Sequence, residues 1–328
     1  MNILPTPETV PGHTLVADAT FVVADVAAES ASSTSKGRRA ASSTRSASFA
    51  ALTKPRIVLL VVLTSATGYW LAARTRGWTP AFSFASALAG TALVAAGASV
   101  WNQVIERDRD ARMRRTSSRP LPVGRLGVAE ASWFGALLAA AGVAILYRGA
   151  NPLAALVASS TFLLYVAVYT PLKPFTTLNT VVGAIPGALP PVIGWAAAAG
   201  RLGIEAWALF LIMFLWQFPH FLAIAWIHRD DYARGGHRML PSVDPTGVLT
   251  SRQAALYALV LLPVGLLPAV LRTAGPIYFA GALGLGLFYL GRAEGFRRTR
   301  TDVDARRLLY ASFLHLPGLL LLLVLDPA

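Results

Sequence analysis

The chain has 328 residues, of which 55% are hydrophobic and 14% charged. A soluble domain carries about 25% charged residues. The composition therefore predicts a polytopic membrane protein and excludes an ordinary soluble domain. It has no cysteine, which excludes disulfides and thiolate metal sites. The net charge of +13 does not indicate a nucleic-acid partner, because the cations lie at the ends of apolar segments, where topology signals and lipid headgroup contacts are found.

The amino-terminal segment, residues 1–50, is rich in Ala, Ser, Thr and Val and has a basic patch at residues 36–39. It shows no apolar span and no sustained periodicity. We expect a disordered basic tail on the cytoplasmic side, followed by a transmembrane domain over residues 51–328. A transit peptide is the weaker interpretation, because the segment also holds acidic residues.

Nine apolar segments of about membrane-spanning length follow the tail, each bounded by Pro, Gly or charged residues. They cover residues 57–73, 80–100, 127–147, 152–169, 178–198, 205–227, 253–271, 276–291 and 307–325. The sequence therefore predicts an all-α fold, a bundle of nine transmembrane helices.

The basic residues predict the orientation of this bundle. With the amino terminus inside, 24 of the 29 Lys and Arg residues fall in the tail and the inside loops, and 5 fall at outside ends of the spans. Such a bias predicts a cytoplasmic amino terminus and a carboxyl terminus outside. The two long inner loops, after the second and sixth spans, carry clustered carboxylates, so an active site would face the cytoplasm.

The most informative cluster follows the second span. Asn102, Glu106 and Asp110 are spaced i, i+4, i+8 and line one face if the chain is helical there. Clustered oxygen ligands suit a hard cation such as Mg²⁺, and the neighbouring Arg112 and Arg115 suit phosphate. The pattern favours chemistry on an isoprenoid diphosphate at the rim of the bundle. A solvated loop with local Glu–Arg pairs is the alternative.

A second acidic cluster, Asp230 and Asp231, follows the sixth span and is also interleaved with cations. Acidic loops at equivalent ends of two spans predict two halves of one site. Mg²⁺ needs only one or two protein carboxylates when substrate phosphates complete its shell. Considered alone, this loop is equally compatible with a solvated turn.

The short loop after the fourth span offers a phenol and a cation, Tyr169 and Lys173, at the inner membrane surface. Lys173 can bind a diphosphate as a point charge. The alternative is an interfacial anchor, since Tyr and Lys both favour that depth.

Polar residues also occur inside the spans. Gln217 and His220 lie in the sixth span and need partners there, and Pro219 frees backbone groups beside them. His220 can ligate a metal, relay a proton, or form a hydrogen bond within the bundle. Prolines in the fifth span, at Pro186, Pro190 and Pro191, predict an irregular wall.

Seven stretches together carry a resemblance. They are Leu52-Thr-Lys54-Pro-Arg56, residues 102–116, Arg119-Pro-Leu-Pro122, Tyr169-Thr-Pro-Leu-Lys173, residues 183–191, Trp216-Gln-Phe-Pro-His220-Phe and residues 231–241. The chain from about residue 52 onward resembles the haem O synthase branch of the UbiA-type intramembrane prenyltransferases. Their architecture of nine helices with two acidic motifs facing the cytoplasm agrees with the predicted topology.

The resemblance implies transfer of a farnesyl group from farnesyl diphosphate to a vinyl group of haem B, with addition of water, in the bacterial cytoplasmic (inner) membrane. It implies Mg²⁺ as cofactor, and it suggests haem A synthase and oxidase assembly factors as partners in the lipid bilayer. By position, the catalytic residues would be Asn102, Glu106, Asp110 and Asp231, and the metal ligands Glu106, Asp110 and Asp231. The residues expected to bind substrate are Lys173, Arg112, Arg115, Tyr169 and His220, with His220 near the porphyrin.

The chain departs from the family pattern in the second acidic motif. The superfamily often has a second Asp four residues after the first, but Gly235 stands there. The upstream neighbours of Asp231 are Asp230 and His228, and which carboxylate would bind a second metal is left open. His237 lies where an apolar residue is often found.

Other function classes are less consistent with the sequence. A related prenyltransferase acting on a quinone precursor or another tetrapyrrole is the second interpretation among enzymes. A transporter would place carboxylates near the bilayer midplane and show an internal repeat. Here the carboxylates lie mostly at one membrane face, and no repeat is evident.

Overall fold

The computed structural model of the protein describes residues 44–74 and 81–326, and within these ranges the helix is the regular secondary structure throughout. In chain order the helices are α1 (Arg45–Leu52), α2 (Pro55–Arg74), α3 (Ala81–Asp110), α4 (Val128–Gly149), α5 (Pro152–Leu163), which continues through a π-helical turn (Leu164–Tyr169) and Thr170–Leu172, α6 (Asn179–Ala188), α7 (Pro190–Ala199), α8 (Ile204–Ile227), α9 (Arg229–Arg234), α10 (Leu240–Val243), α11 (Val248–Gly265), α12 (Leu267–Val270), α13 (Pro276–Thr299) and α14 (Asp302–Leu325). The all-α prediction is confirmed.

Eight helical segments among the described residues are long and apolar enough to cross a membrane, and each corresponds to a predicted span. The remaining predicted span, residues 276–291, is helical as part of α13, but the last turns of α13 carry several charged residues. The multi-pass prediction is therefore confirmed, whereas the count of nine spans stays a prediction. Helix α3 continues past the predicted span end at residue 100 to Asp110, so the first acidic cluster is helical.

Only residues 44–50 of the predicted tail lie inside the described residues, and from Arg45 onward they form α1. The Thr44 hydroxyl accepts a hydrogen bond from the Ala47 backbone N–H at 3.4 Å and caps the helix. Phe49 packs edge-on against Phe134, with ring centroids 4.9 Å apart, and Leu52 is fully buried. These apolar contacts explain why helical order begins before the first span.

The helices pack both against their neighbours in the chain and against helices far from them in sequence. Helix α3 packs against α2 and α4, α8 packs against α11 and α14, and α13 packs against both α11 and α14. Helix α14 also contacts α2, so the first and last spans are neighbours. The largest buried apolar cluster lies among α8, α11, α13 and α14, and a second lies among α2, α3, α5 and α7.

Helices α2 and α7 approach each other backbone to backbone at two glycines. A Cβ atom on Gly194 would overlap the carbonyl oxygen of Ser65, and one on Gly68 would overlap the carbonyl oxygen of Pro191. Small residues at such crossings let membrane helices pack closely, which takes the place of a hydrophobic driving force in lipid.

Gly194→Ala is expected to destabilise the bundle by about 1–3 kcal/mol, because the new methyl group forces two backbones apart. The measurement is the thermal unfolding midpoint of the purified protein in detergent. Gly284→Ala is the matched control, since a Cβ at this helical glycine of α13 meets no atom within 4 Å. Equal midpoints for the two variants would contradict the close crossing.

The fifth span is broken, as its prolines predict. Helix α6 ends at Ala188, α7 begins at Pro190, and Pro186 lies inside α6. Gln217 of α8 lies against this break. Its Nε2 donates hydrogen bonds to the carbonyl of Ala184 at 3.2 Å and to the carbonyl of Met213, one turn earlier in α8, at 2.9 Å. The polar side chain in the sixth span thus has the partner that its position requires.

Candidate active site

The first acidic cluster lies on one face of the last turns of α3. Asn102, Glu106 and Asp110 are 2%, 4% and 0% exposed. Asp108 lies on the other face, where its side chain is 76% exposed and pairs with Arg107 at 2.8 Å. The helical spacing therefore does place the three predicted side chains together in a buried environment.

Each buried carboxylate of this cluster has its own cation. The Lys173 ammonium lies 2.7 Å from Glu106 Oε1, and the Arg119 guanidinium lies 2.7 Å from Asp110 Oδ2. The other oxygen of Asp110, Oδ1, is buried without a hydrogen-bond partner among the described residues. Buried carboxylates need such pairing or a metal, so the cluster has charge compensation and leaves Oδ1 of Asp110 open as a donor atom.

Asn102 is held by two polar neighbours that the sequence did not identify as site residues. Lys54 Nζ donates to Asn102 Oδ1 at 3.0 Å, and Asn102 Nδ2 donates to the Thr170 hydroxyl at 3.3 Å. Burial, followed by the charges of Arg119 and Lys173, lowers the pKa of Lys54 to about 7. A lysine before a proline at the start of the first span was the available signal.

The loop after α5 places Lys173 at the centre of the site. Its ammonium lies 4.6 Å from the centroid of the Tyr169 ring. Burial alone would lower the pKa of Lys173, but the Glu106 carboxylate outweighs it and holds the pKa above its ordinary value. Tyr169 in turn packs against Gly183 of α6, where a Cβ atom would overlap the phenol ring.

The second acidic loop joins the first through Asp231. Its Oδ1 and Oδ2 accept hydrogen bonds from the backbone N–H groups of Arg114 at 3.1 Å and Arg115 at 3.3 Å, and its carboxylate also pairs with Arg234. Burial works to raise the pKa of Asp231, but these hydrogen bonds outweigh it and lower the pKa. Asp230 is exposed. The predicted meeting of the two loops is therefore made by Asp231.

Asn179, at the start of α6, ties two of the loops together. Its Nδ2 donates to the carbonyl of Thr176 at 2.6 Å and to that of Arg238 at 2.9 Å. The Arg238 backbone N–H donates to the carbonyl of Lys173 at 2.8 Å. Backbone groups and the Asn179 amide thus hold the loop that carries Lys173 against the loop after α8.

The two predicted arginines differ in position. Arg115 is half-buried, and its Nη2 donates to the Tyr232 hydroxyl at 3.4 Å, with the guanidinium 5.7 Å from the ring centroid. Arg112 is exposed in the turn after α3. The geometry brings Arg115 to the junction of the acidic loops and leaves Arg112 at the surface.

His220 lies inside the bundle, between α8 and α14. Its Nδ1 is 2.7 Å from the Ser312 hydroxyl, and its ring stacks on Trp216 at 4.9 Å and packs edge-on against Phe313 at 5.4 Å. Of the three roles considered for His220, the hydrogen bond within the bundle is therefore present.

The donor set fits a hard cation that a substrate helps to hold. No group of three or more His, Asp or Glu side chains in the part of the chain that the structure describes is arranged to hold a metal by itself. Mg²⁺ does not require one, because it is commonly held by one or two carboxylates plus phosphate oxygens and water. The unpartnered Oδ1 of Asp110 is a donor of the required kind.

Residues 61–316 of the chain match the UbiA prenyltransferase family. The chain belongs to this family. The bundle of this UbiA-family protein resembles that of a solved digeranylgeranylglyceryl phosphate synthase, with a TM-score of 0.72 at 16% identity, over 86% of this chain and 98% of that one. It also resembles a UbiA homologue from Archaeoglobus fulgidus bound to GPP and Mg²⁺, with a TM-score of 0.60 at 16% identity, over 84% and 99%. The predicted UbiA-type fold is confirmed.

Among curated relatives, this chain is 45% identical over 282 residues to the protoheme IX farnesyltransferase of Solibacter usitatus. The alignment covers 84% of this chain and 97% of the relative. It is 43% identical over 277 residues to the protoheme IX farnesyltransferase of Myxococcus xanthus, over 84% of this chain and 92% of that one. The predicted branch of the family is thereby confirmed.

Proposed function

We propose that this protein transfers the farnesyl group of farnesyl diphosphate to a vinyl group of haem B, with addition of water, giving haem O and diphosphate in haem A biosynthesis. The observation that carries the proposal is the 45% identity to a protoheme IX farnesyltransferase over 97% of that relative. The buried carboxylates and cations described above supply the chemistry that a prenyl diphosphate requires.

Mg²⁺ is the proposed cofactor, with Glu106, Asp110 and Asp231 as its protein ligands. The solved relative bound to GPP and Mg²⁺ supports this choice. When held by these residues, Mg²⁺ would supply positive charge that stabilises the leaving diphosphate.

Lys173 and Arg115 are proposed to bind the diphosphate. The raised pKa of Lys173 keeps its ammonium charged throughout the physiological range, so it supplies a fixed point charge. Arg115 supplies planar donors beside Tyr232, where the two acidic loops meet. The Tyr169 ring packs against the Lys173 ammonium. Asn102 is proposed to orient Lys54 and Thr170 through its two hydrogen bonds.

We place the porphyrin near His220. Aromatic rings from both α8 and α14 surround this imidazole, and a flat apolar macrocycle stacks well on such rings.

His220→Ala is expected to raise the apparent KM for haem about tenfold and to change the KM for farnesyl diphosphate less. Steady-state rates with each substrate varied in turn provide the measurement. Ser312→Ala is the matched variant, because it removes the hydroxyl partner and keeps the imidazole. A larger increase in the KM for farnesyl diphosphate than for haem would move His220 away from the porphyrin.

We further propose the bacterial cytoplasmic membrane as the location, with the amino terminus inside and the carboxyl terminus outside. Haem A synthase and oxidase assembly factors stay predicted partners, since the product precedes haem A. The tail before residue 44 is proposed to be dispensable for turnover, because it lacks a pattern that forms a core.

The absence of cysteine makes the orientation directly testable. Ser118 lies exposed after α3, and Arg201 lies exposed between α7 and α8. In sealed right-side-out vesicles, Arg201→Cys is expected to react with a membrane-impermeant maleimide, whereas Ser118→Cys reacts only after the membrane is opened. The opposite pattern would reverse the proposed orientation.

Mass spectrometry of extracted haem is the test of the reaction. The purified full chain is incubated in lipid with haem B, farnesyl diphosphate and Mg²⁺, beside a sample with EDTA. A product heavier than haem B by one farnesyl group and one hydroxyl group, formed only with the metal, supports the proposal. If folded protein forms no such product, the haem assignment fails, and a quinone precursor becomes the next acceptor to test.

A further inference from the structure

The acidic site contains a polar side chain that the proposed chemistry does not yet use, the imidazole of His237. It is 3% exposed, and its Nδ1 atom is buried without a hydrogen-bond partner among the described residues. Buried polar atoms in native proteins are nearly always hydrogen-bonded. An unpaired atom in a ligand site therefore indicates a partner that arrives with the ligand.

The surroundings of His237 place it at the acidic site. Burial lowers the pKa of His237, and the charges of Glu106, Lys173, Arg109 and Asp110 also contribute to this pKa. The next residue is fixed there by its backbone, because the Arg238 N–H donates to the carbonyl of Lys173 at 2.8 Å. His237 thus shares its neighbourhood with the first acidic cluster, although it comes from the second loop.

The backbone holds the imidazole rigidly. The His237 N–H donates to the carbonyl of Tyr232 at 2.9 Å, and its carbonyl accepts from the Ser242 hydroxyl at 3.2 Å. Gly236, with φ of +70°, makes the turn that precedes it. The ring lies edge-on to Tyr232, with centroids 6.1 Å apart. Backbone and ring are therefore fixed while Nδ1 stays open.

Position 235 explains why the imidazole fills this space. A Cβ atom on Gly235 would lie 2.9 Å from both Cγ and Sδ of Met113 and 3.2 Å from Cδ2 of His237. A carboxylate at 235 would have to displace both side chains. Together with Asp231 and Tyr232, His237 is thus a side chain through which this segment presents a polar atom to the site.

We propose that His237 is a further substrate-positioning residue, whose Nδ1–H donates a hydrogen bond to an oxygen of the bound organic diphosphate. This rests on the proposed function. Lys173 attracts the diphosphate as a point charge with little directional preference. A donor on a rigid ring adds direction and orients the leaving group relative to the allylic carbon.

The test measures binding of inorganic pyrophosphate, in the presence of Mg²⁺, to the purified full chain by calorimetry. His237→Leu and His237→Gln are expected to weaken binding about tenfold, the loss typical of one charge-assisted hydrogen bond. His237→Asn is expected to restore most of the affinity, because the asparagine amide nitrogen lies close to the position of Nδ1, whereas the glutamine amide lies nearer to that of Nε2. In turnover, His237→Leu should raise the KM for farnesyl diphosphate and leave the KM for haem unchanged.

His315→Leu is the matched control. His315 is also buried, at 1% exposed, with an unpartnered Nδ1, but its ring packs on Tyr289 between α13 and α14. The His315→Leu variant should bind pyrophosphate with the affinity of the wild type. Wild-type affinity in His237→Leu, or equal losses in all three His237 variants, would overturn the proposal for His237 alone. A wild-type chain that binds no pyrophosphate would overturn the proposed diphosphate site as well.

Discussion

Asp110→Ala is expected to lower the rate of farnesyl transfer about a hundredfold or more, with folded protein recovered near the wild-type yield. Asp110 is fully buried, Oδ2 pairs with Arg119 at 2.7 Å, and Oδ1 has no hydrogen-bond partner among the described residues. The substitution therefore removes the proposed metal donor together with the ion-pair partner of Arg119, whose side chain is 25% exposed and can be hydrated instead. Single-turnover haem O formation over a Mg²⁺ titration is the measurement, and the variant should need more Mg²⁺.

Two variants separate the metal role of Asp110 from a structural one. Asp108→Ala changes an exposed carboxylate on the opposite face of the same helix end and should keep the wild-type rate. Asp110→Asn keeps the size of the side chain and an acceptor for Arg119 but removes the charge, so it should resemble Asp110→Ala in its Mg²⁺ dependence. Full activity in Asp110→Ala, or a Mg²⁺ dependence equal to that of the wild type, would remove Asp110 from the metal site.

The local parts of the site were predictable because they depend on short-range geometry. Asn102, Glu106 and Asp110 share a face because a helix repeats every 3.6 residues, and nothing distant is needed to place them. The break in the fifth span is equally local, since Pro186 and Pro190 each lack a backbone donor. The spans were predictable too, because the length of a continuous apolar segment is also a local property of the sequence.

The long-range parts were not predictable from one sequence. Lys54 contacts Asn102 across 48 positions of the chain, and its place before a proline marks the lysine but not its partner. The adjacent Asp230 and Asp231 are chemically identical, and only the docking of α9 on the loop after α3 buries one and exposes the other. The helix over Arg45–Leu52 depends similarly on Phe134, far along the chain.

Asp231→Asn is expected to lower kcat/KM for farnesyl diphosphate about a hundredfold and to loosen the loop after α3. Both carboxylate oxygens already accept hydrogen bonds, from the N–H groups of Arg114 and Arg115. An asparagine has one acceptor oxygen, so one of the two N–H groups loses its partner. Buried hydrogen bonds to a charged group contribute about 1.5–3 kcal/mol each. Hydrogen exchange of the peptide that contains Arg114 and Arg115 should therefore accelerate along with the loss of activity.

Asp230→Asn is the matched control for this variant, because it makes the same chemical change at the exposed neighbour and should affect neither exchange nor turnover. The pair of measurements distinguishes two roles for Asp231. If turnover falls while exchange of the Arg114–Arg115 peptide stays at the wild-type rate, Asp231 acts through the metal alone and the loop junction does not depend on it. If both change together, Asp231, a proposed Mg²⁺ ligand, also holds the two acidic loops in contact.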